Sequence, residues 1–120
     1  MEPDIIKTEP NREEIFKQSE SVVIKVGSSL LVEEKVGAIK KDWFASFIQD
    51  VIDLRDQGKS IIIVSSGAIN LGRKILNLKD ENLTLEQEQA AASVGQIELS
   101  KEYQEHFKFR GLICSQVLIT

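Results

Sequence analysis

Residues 60–68, Ser60-Ile61-Ile62-Ile63-Val64-Ser65-Ser66-Gly67-Ala68, read as a buried strand that runs straight into a helix. The run Ser60–Val64 is β-branched and apolar on both faces. That pattern marks a strand inside a parallel sheet rather than one half-exposed on an antiparallel sheet. The small residues Ser65–Ala68 then open a helix that the spacing carries to about Leu76. Upstream, Lys41–Gln57 is the clearest helix: Trp43, Phe47, Val51 and Leu54 form one apolar stripe, with Phe44, Ile48 and Ile52 beside it. Gly58 follows as its stop. Further upstream, Ser21–Val26 (SVVIKV) reads as another buried strand.

Downstream, Asn77–Asn82 is a polar connection. Thr84 is placed to cap a helix, with Gln87 three residues on to close a capping box. Leu85–Val94 is helical, with Ala90, Ala91 and Ala92 small enough for close packing, and Gly95 is expected to end or kink it. Gln96–Phe109 carries Leu99, Tyr103 and Phe107 at four-residue spacing and is again helical. Gly111 breaks it, and Leu112–Thr120 (LICSQVLIT) reads as a third strand. Residues 1–18 are a polar lead-in with a short helix over Arg12–Lys17; residues 19–120 form the domain. Strands alternating with helices imply right-handed crossovers and a mainly parallel sheet. The fold class is α/β, as a three-layer α/β/α sandwich or part of one.

Composition bounds the function. The chain has 120 residues, 42% hydrophobic and 28% charged, as expected of one globular domain. Net charge is -4, from 15 basic and 19 acidic residues, which gives no footprint for nucleic acid. The acidic and basic start has no apolar signal core, and no apolar run approaches the roughly 20 residues that span a bilayer. A membrane partner is not expected. With Cys114 as the single cysteine, an internal disulfide is impossible, and a reducing, cytoplasmic location is expected.

Two strand ends carry the candidate chemistry, and strand C-termini are where open α/β sheets bind ligands. At Lys25-Val26-Gly27-Ser28-Ser29, an ammonium, a residue without Cβ and two hydroxyls would together suit a phosphate. A solvated lysine before a routine Gly-Ser turn is the plain alternative. The Walker spacing is absent. At Val64-Ser65-Ser66-Gly67-Ala68, a helix start offers N–H groups to an anion. An ordinary serine N-cap is the alternative there. Arg73 could reach an anion but reads as a surface arginine. His106 reads as exposed, Cys114 as buried and inert, and Gln96 as a cap or structural hydrogen bonder at a helix junction. No metal-binding cluster is expected.

The blocks VVIKVGSSLL (22–31), IIIVSSGAINLGR (61–73), EQAAASVGQ (88–96) and QVLIT (116–120) together resemble glutamate 5-kinases of the amino-acid kinase superfamily. Residues 21–120 share the resemblance, and the four blocks together are specific where each alone would be weak. The resemblance implies an ATP-dependent transfer of phosphate to the glutamate γ-carboxylate, the first step of proline biosynthesis, with Mg2+. It implies Lys25 as the catalytic residue, Lys25, Gly27 and Ser28 as ATP phosphate ligands, and Ser66, Gly67 and Ala68 as the glutamate site. Glu88 departs from the lysine common at that position. The family continues past QVLIT with further strands that carry more of the substrate site and most of the nucleotide pocket. A truncated amino-acid kinase-like fold is therefore expected, inactive by itself. The alternative is a non-catalytic remnant, or a module that completes its fold as a homo-oligomer or with a complementing chain. A superfamily kinase acting on another carboxylate or on a nucleotide is the third reading.

Overall fold

A computed structural model describes residues 11–79 and 81–117. The order is α1 (Arg12–Gln18), β1 (Ser21–Val26), α2 (Ser28–Leu31), β2 (Val32–Glu33), β3 (Ala38–Ile39), α3 (Lys41–Asp56), β4 (Ser60–Ser65), α4 (Ala68–Ile75) and α5 (Leu85–Phe109). The α/β class and the parallel pairing expected from the sequence are present. β1 pairs with β4 in parallel from Ser21 opposite Ser60 to Val26 opposite Ser65, while β2 and β3 form a separate small antiparallel hairpin.

The pairing register sorts the side chains into two sets. Ile24 and Val26 of β1 and Ile61 and Ile63 of β4 lie on the face that meets Phe44, Ile48 and Val51 of α3 and Leu99, Tyr103 and Phe107 of α5. Phe44 is fully buried, with its ring edge-on to Tyr103 at 4.9 Å between centroids. Burying one such side chain stabilises the fold by about 1.5–3 kcal/mol. The opposite face differs from the expectation that both faces are buried: Val23, Ile62 and Val64 are 64%, 57% and 50% exposed. Among the described residues the helices therefore cover one side of the sheet. The apolar second face is a property of the sequence that the described layers leave uncovered.

Local signals explain the helices. In α3 the stripe Phe44–Ile48 goes deepest, while Trp43 and Phe47 stack on each other at 5.2 Å along its flank. In α5 the Thr84 side chain accepts from the Gln87 N–H and the Gln87 side chain accepts from the Thr84 N–H, completing the expected capping box. Its buried residues Ala91, Gly95, Leu99, Tyr103 and Phe107 recur every four positions. The short helix expected over Arg12–Lys17 is α1, capped by Asn11. Lys59, buried beside it, donates to the Phe16 and Ser19 carbonyls at 2.7 and 2.6 Å, which ties α1 to the start of β4.

Two further expectations are corrected. Gly95 does not end a helix: α5 runs unbroken for 25 residues through it. A Cβ at Gly95 would lie 1.7 Å from the Ala68 carbonyl oxygen, and one at Gly72 would lie 1.8 Å from the Ala91 carbonyl oxygen. The two glycines are the contact points at which α4 and α5 cross backbone to backbone. Nor is Leu112–Val117 a strand. Strand structure requires a partner ladder, and the Leu112 N–H is instead turned back to the Phe107 carbonyl at the end of α5. Ile113 is fully exposed there. Residues 118–120 of the expected strand lie outside the described residues.

Candidate functional site

The two candidate corners stand side by side at the C-terminal ends of β1 and β4. Lys25 lies opposite Val64, on the open face of the sheet. The Ser66 N–H donates to the Val26 carbonyl at 2.9 Å, so the ladder extends one residue beyond β4. Alternation along the strand then puts Ser66 on the same face as Val64 and Lys25. Both residues are exposed, and Lys25 makes no ion pair among the described residues. A second bond joins the corners from the other side: Asn70 Nδ2 of α4 donates to Ser28 Oγ of α2 at 2.6 Å.

At the β4–α4 corner the serine-cap alternative fails. The N-cap is Gly67, with φ 119° and ψ -9°, and no side chain caps the helix. A positive φ of this kind favours glycine. The residue is buried, and a Cβ there would sit 3.1 Å from a Val32 methyl. Conformation and packing thus both demand a residue that cannot cap. Among the described residues no side chain caps the opening N–H groups of α4, the positive end of its dipole, which is the arrangement that suits an anion. Leu71 N–H closes the first turn on the Gly67 carbonyl at 3.1 Å.

At the β1–α2 corner the argument for glycine is different. Gly27 has φ -75° and ψ 152°, a conformation open to any residue, and a Cβ there would meet nothing within 4 Å. Neither backbone strain nor packing among the described residues accounts for a glycine at this position. Approach of a ligand to the backbone remains as a physical reason for it. Ser28 begins α2 and its hydroxyl is already engaged by Asn70, whereas the Ser29 carbonyl accepts from Lys40 Nζ at 2.8 Å. The corner is therefore held from two sides while its Gly27 edge stays open.

Behind the second corner lies a part-buried contact that the sequence does not predict. Tyr103 Oη donates to Ser65 Oγ at 2.9 Å, and Ser65 Oγ donates to the Ser66 carbonyl at 3.1 Å. Burial raises the Tyr103 hydroxyl above its ordinary value, with the Ser65 bond opposing, so the phenol stays protonated and able to donate. No signal short of the tertiary structure pairs these residues, because they are far apart in the chain.

The other candidates lie away from the corners or alongside them. Arg73 is half-buried on α4 and lines a 790 Å³ groove with Lys35, Lys74, Lys79 and Asn70. His106 is not exposed as expected but half-buried, edge-on to Phe44 at 4.7 Å, with Nδ1 2.9 Å from the Glu102 carbonyl. Cys114 is half-buried rather than buried, and burial pushes its thiol above the ordinary value. Gln96 lies within α5 and not at a junction, donating to Ser100 Oγ at 3.3 Å. Glu88 is exposed. Among the described residues no three His, Cys, Asp or Glu side chains stand together to hold a metal, and no helix is long and apolar enough to cross a membrane.

Comparison with known proteins adds the following. The model of the amino acid kinase family matches residues 20–120. The chain is 50% identical over 99 residues to a glutamate 5-kinase of Ruegeria sp. (strain TM1040), an alignment covering 82% of this chain and 27% of that protein. It is 44% identical over 105 residues to one from Pelagibacter ubique (strain HTCC1062), and 42% identical over 105 residues to one from Caulobacter vibrioides (strain NA1000 / CB15N). Each of these two alignments covers 88% of this chain and 28% of the relative. The chain thus spans little more than a quarter of the length of the curated relatives it matches.

Proposed function

Because the chain belongs to the amino acid kinase family, we propose that it carries the phosphate corner and the acceptor corner of a glutamate 5-kinase. In this reading Lys25, Gly27 and Ser28 receive the ATP phosphates, and Ser66, Gly67 and Ala68 receive L-glutamate. The observation that carries it is the juxtaposition of the corners. Lys25 and Ser66 fall on one face of adjacent strand ends, joined by the Ser66-to-Val26 backbone bond and the Asn70-to-Ser28 bond. The relatives' names supply the substrate class.

The chemistry follows from this placement. A γ-carboxylate oxygen of glutamate attacks the γ-phosphorus of ATP, the bond from that phosphorus to the bridging oxygen breaks, and ADP leaves with the electron pair. Phosphoryl transfer of this kind depends on positioning and on neutralising charge. The Lys25 ammonium supplies positive charge toward the phosphates. The opening N–H groups of α4 orient an anionic acceptor. Gly27 lets the phosphates approach the chain without a Cβ in the way. Mg2+ commonly arrives with nucleotide phosphates rather than in a protein cage. The described residues offer it no carboxylate cluster, so no step is assigned to the ion. A cytoplasmic location belongs to the same proposal.

The test is a pair of titrations followed by amide NMR on the 120-residue chain. L-Glutamate is expected to shift Ser66–Ala68, and inorganic triphosphate to shift Lys25–Ser28. Lys25→Ala is expected to abolish the second response and spare the first. Aspartate and acetylglutamate serve as competitors, and a stronger response to either would reassign the acceptor within the family. Shifts confined to other parts of the chain would overturn the site. An ATP-consumption assay with glutamate, compared with Lys25→Ala, then reports whether this span turns over by itself.

A further inference from the structure

We propose that Tyr103 and Ser65 are positioning residues for the acceptor corner, setting through Tyr103 Oη, Ser65 Oγ and the Ser66 carbonyl the orientation of the peptide that leads into Gly67. The proposal rests on the acceptor role proposed for Ser66–Ala68.

The ring of Tyr103 does not need its hydroxyl. It is 7% exposed and packs between Phe44, edge-on at 4.9 Å, and Phe107, stacked at 6.5 Å. A phenylalanine would fill the same space. A buried phenol costs desolvation unless it finds a partner, so the hydroxyl is a liability that only a specific bond offsets. That bond goes to Ser65, the last residue of β4, whose own proton is then directed to the Ser66 carbonyl.

The peptide unit is planar and trans, so its C=O and N–H point in opposite directions. Holding the Ser66 oxygen toward the Ser65 hydroxyl turns the Gly67 N–H the other way. Gly67 follows at φ 119°, in the region that favours glycine, so its N–H direction depends on how the preceding peptide is held. The same helix braces the far side of the corner independently, since Gly95 of α5 lies against the Ala68 carbonyl. α5 thus touches the corner on both sides of Gly67, by a hydrogen bond at Ser65 and by backbone contact at Ala68. A helix with no residue in the proposed site fixes the angle at which the site's N–H groups are presented.

The experiment uses Tyr103→Phe, Ser65→Ala and Ser65→Thr in the same chain. L-Glutamate affinity and amide exchange at Gly67 and Ala68 are read together, with triphosphate affinity as the control. Tyr103→Phe and Ser65→Ala are expected to weaken glutamate about five- to tenfold, the weight of one hydrogen bond. They should speed exchange at Gly67 and Ala68 and leave triphosphate affinity within about twofold. Ser65→Thr keeps the hydroxyl and should restore glutamate affinity, which a purely structural role would not require. Unchanged affinity and exchange in both deletions overturns the proposal. If the unaltered chain binds no glutamate, it is the acceptor assignment that fails. Exchange at Gly67 and Ala68 then decides the positioning role by itself: faster in both deletions upholds it, and unchanged refutes it. Should Tyr103→Phe unfold, Ser65→Ala removes the same bond from the surface-facing end.

Discussion

At the crossing of α4 and α5 a Cβ on Gly95 would stand 1.7 Å from the Ala68 carbonyl oxygen, whereas at the β1–α2 corner one on Gly27 would meet nothing within 4 Å. The first glycine is required by the fold. The second is required by no contact among the described residues. The crossing is closed, and each helix lends a glycine to the other's backbone, Gly72 to Ala91 and Gly95 to Ala68. The corner is open, with Lys25 exposed beside it on the uncovered face of the sheet. The same residue type thus closes a helix crossing in one region and borders open space in the other.

The strongest way to break this comparison is to add the Cβ at the crossing. Gly95→Ala forces backbone against backbone, and α4 must move away from α5 to admit it. Overpacking of a close contact costs about 1–3 kcal/mol and occasionally more; with backbone as the obstacle, about 3 kcal/mol is expected here. Chemical denaturation would show it as a lower midpoint. Gly72→Ala should cost a similar amount. Because both variants separate the same pair of helices, the double variant should cost less than the sum. A Gly95→Ala chain as stable as its parent would mean that the crossing is looser than described.

A smaller loss is expected at the start of α5, away from the crossing. Thr84→Ala removes the acceptor of the Gln87 N–H and opens the capping box. Cap deletions of this type cost about 1 kcal/mol. Since the cap and the crossing share no contact, Thr84→Ala and Gly95→Ala should be additive within about 0.5 kcal/mol. Strong coupling between them, read from the four unfolding midpoints, would show that α5 docks as a rigid rod whose first turn transmits strain to Gly95.

What was legible in the sequence follows the same division between local and distant causes. The capping box at Thr84 and Gln87 is written in four consecutive residues. The buried stripe through Leu99, Tyr103 and Phe107 is written in one period. The strand-to-helix joint at Ser65–Ala68 is written in its small residues. Gly95 was misread because a glycine in a helical pattern signals either a stop or a close approach, and the deciding atom, the Ala68 oxygen, lies across the crossing. Leu112–Val117 was misread because an apolar β-branched run becomes a strand only when another strand pairs with it. The role of Lys59 is not readable in the sequence because its acceptors, the Phe16 and Ser19 carbonyls, stand about forty residues upstream. The Tyr103–Ser65 bond was equally hidden, since periodicity reports which face is buried and not which hydroxyl waits there. In the candidate site, the residue types of both corners stand in the sequence. Their placement on a single face does not, because it depends on the register of β1 against β4.

Alkaline pH probes the closed region from within. Tyr103 has its hydroxyl raised from the ordinary 10.0, chiefly by burial, so the folded state holds the proton more tightly than the unfolded chain. The stability this contributes is complete below the unfolded value and is lost as pH rises from there through the raised folded value. The Cys114 thiol, raised from 9.0 by burial, acts in the same direction and begins at lower pH. Unfolding free energy should therefore fall more steeply above pH 10.0 in the parent chain than in Tyr103→Phe. Parallel curves would mean that the phenol is better solvated than its position between Phe44 and Phe107 implies.

The smallest change in stability, and the sharpest contrast, is expected at Gly27. Its φ of -75° suits alanine, and open space surrounds the added methyl. Gly27→Ala should stabilise the chain by about 0.4–1 kcal/mol, because the unfolded state loses freedom that the folded state never used. The same methyl would stand between a phosphate and the backbone at the edge of the corner. Triphosphate affinity should fall as the unfolding midpoint rises, an opposition that no purely structural account of Gly27 produces. A methyl that stabilised the fold and left triphosphate binding unchanged would remove access as the reason for this glycine, and with it the contrast to Gly95.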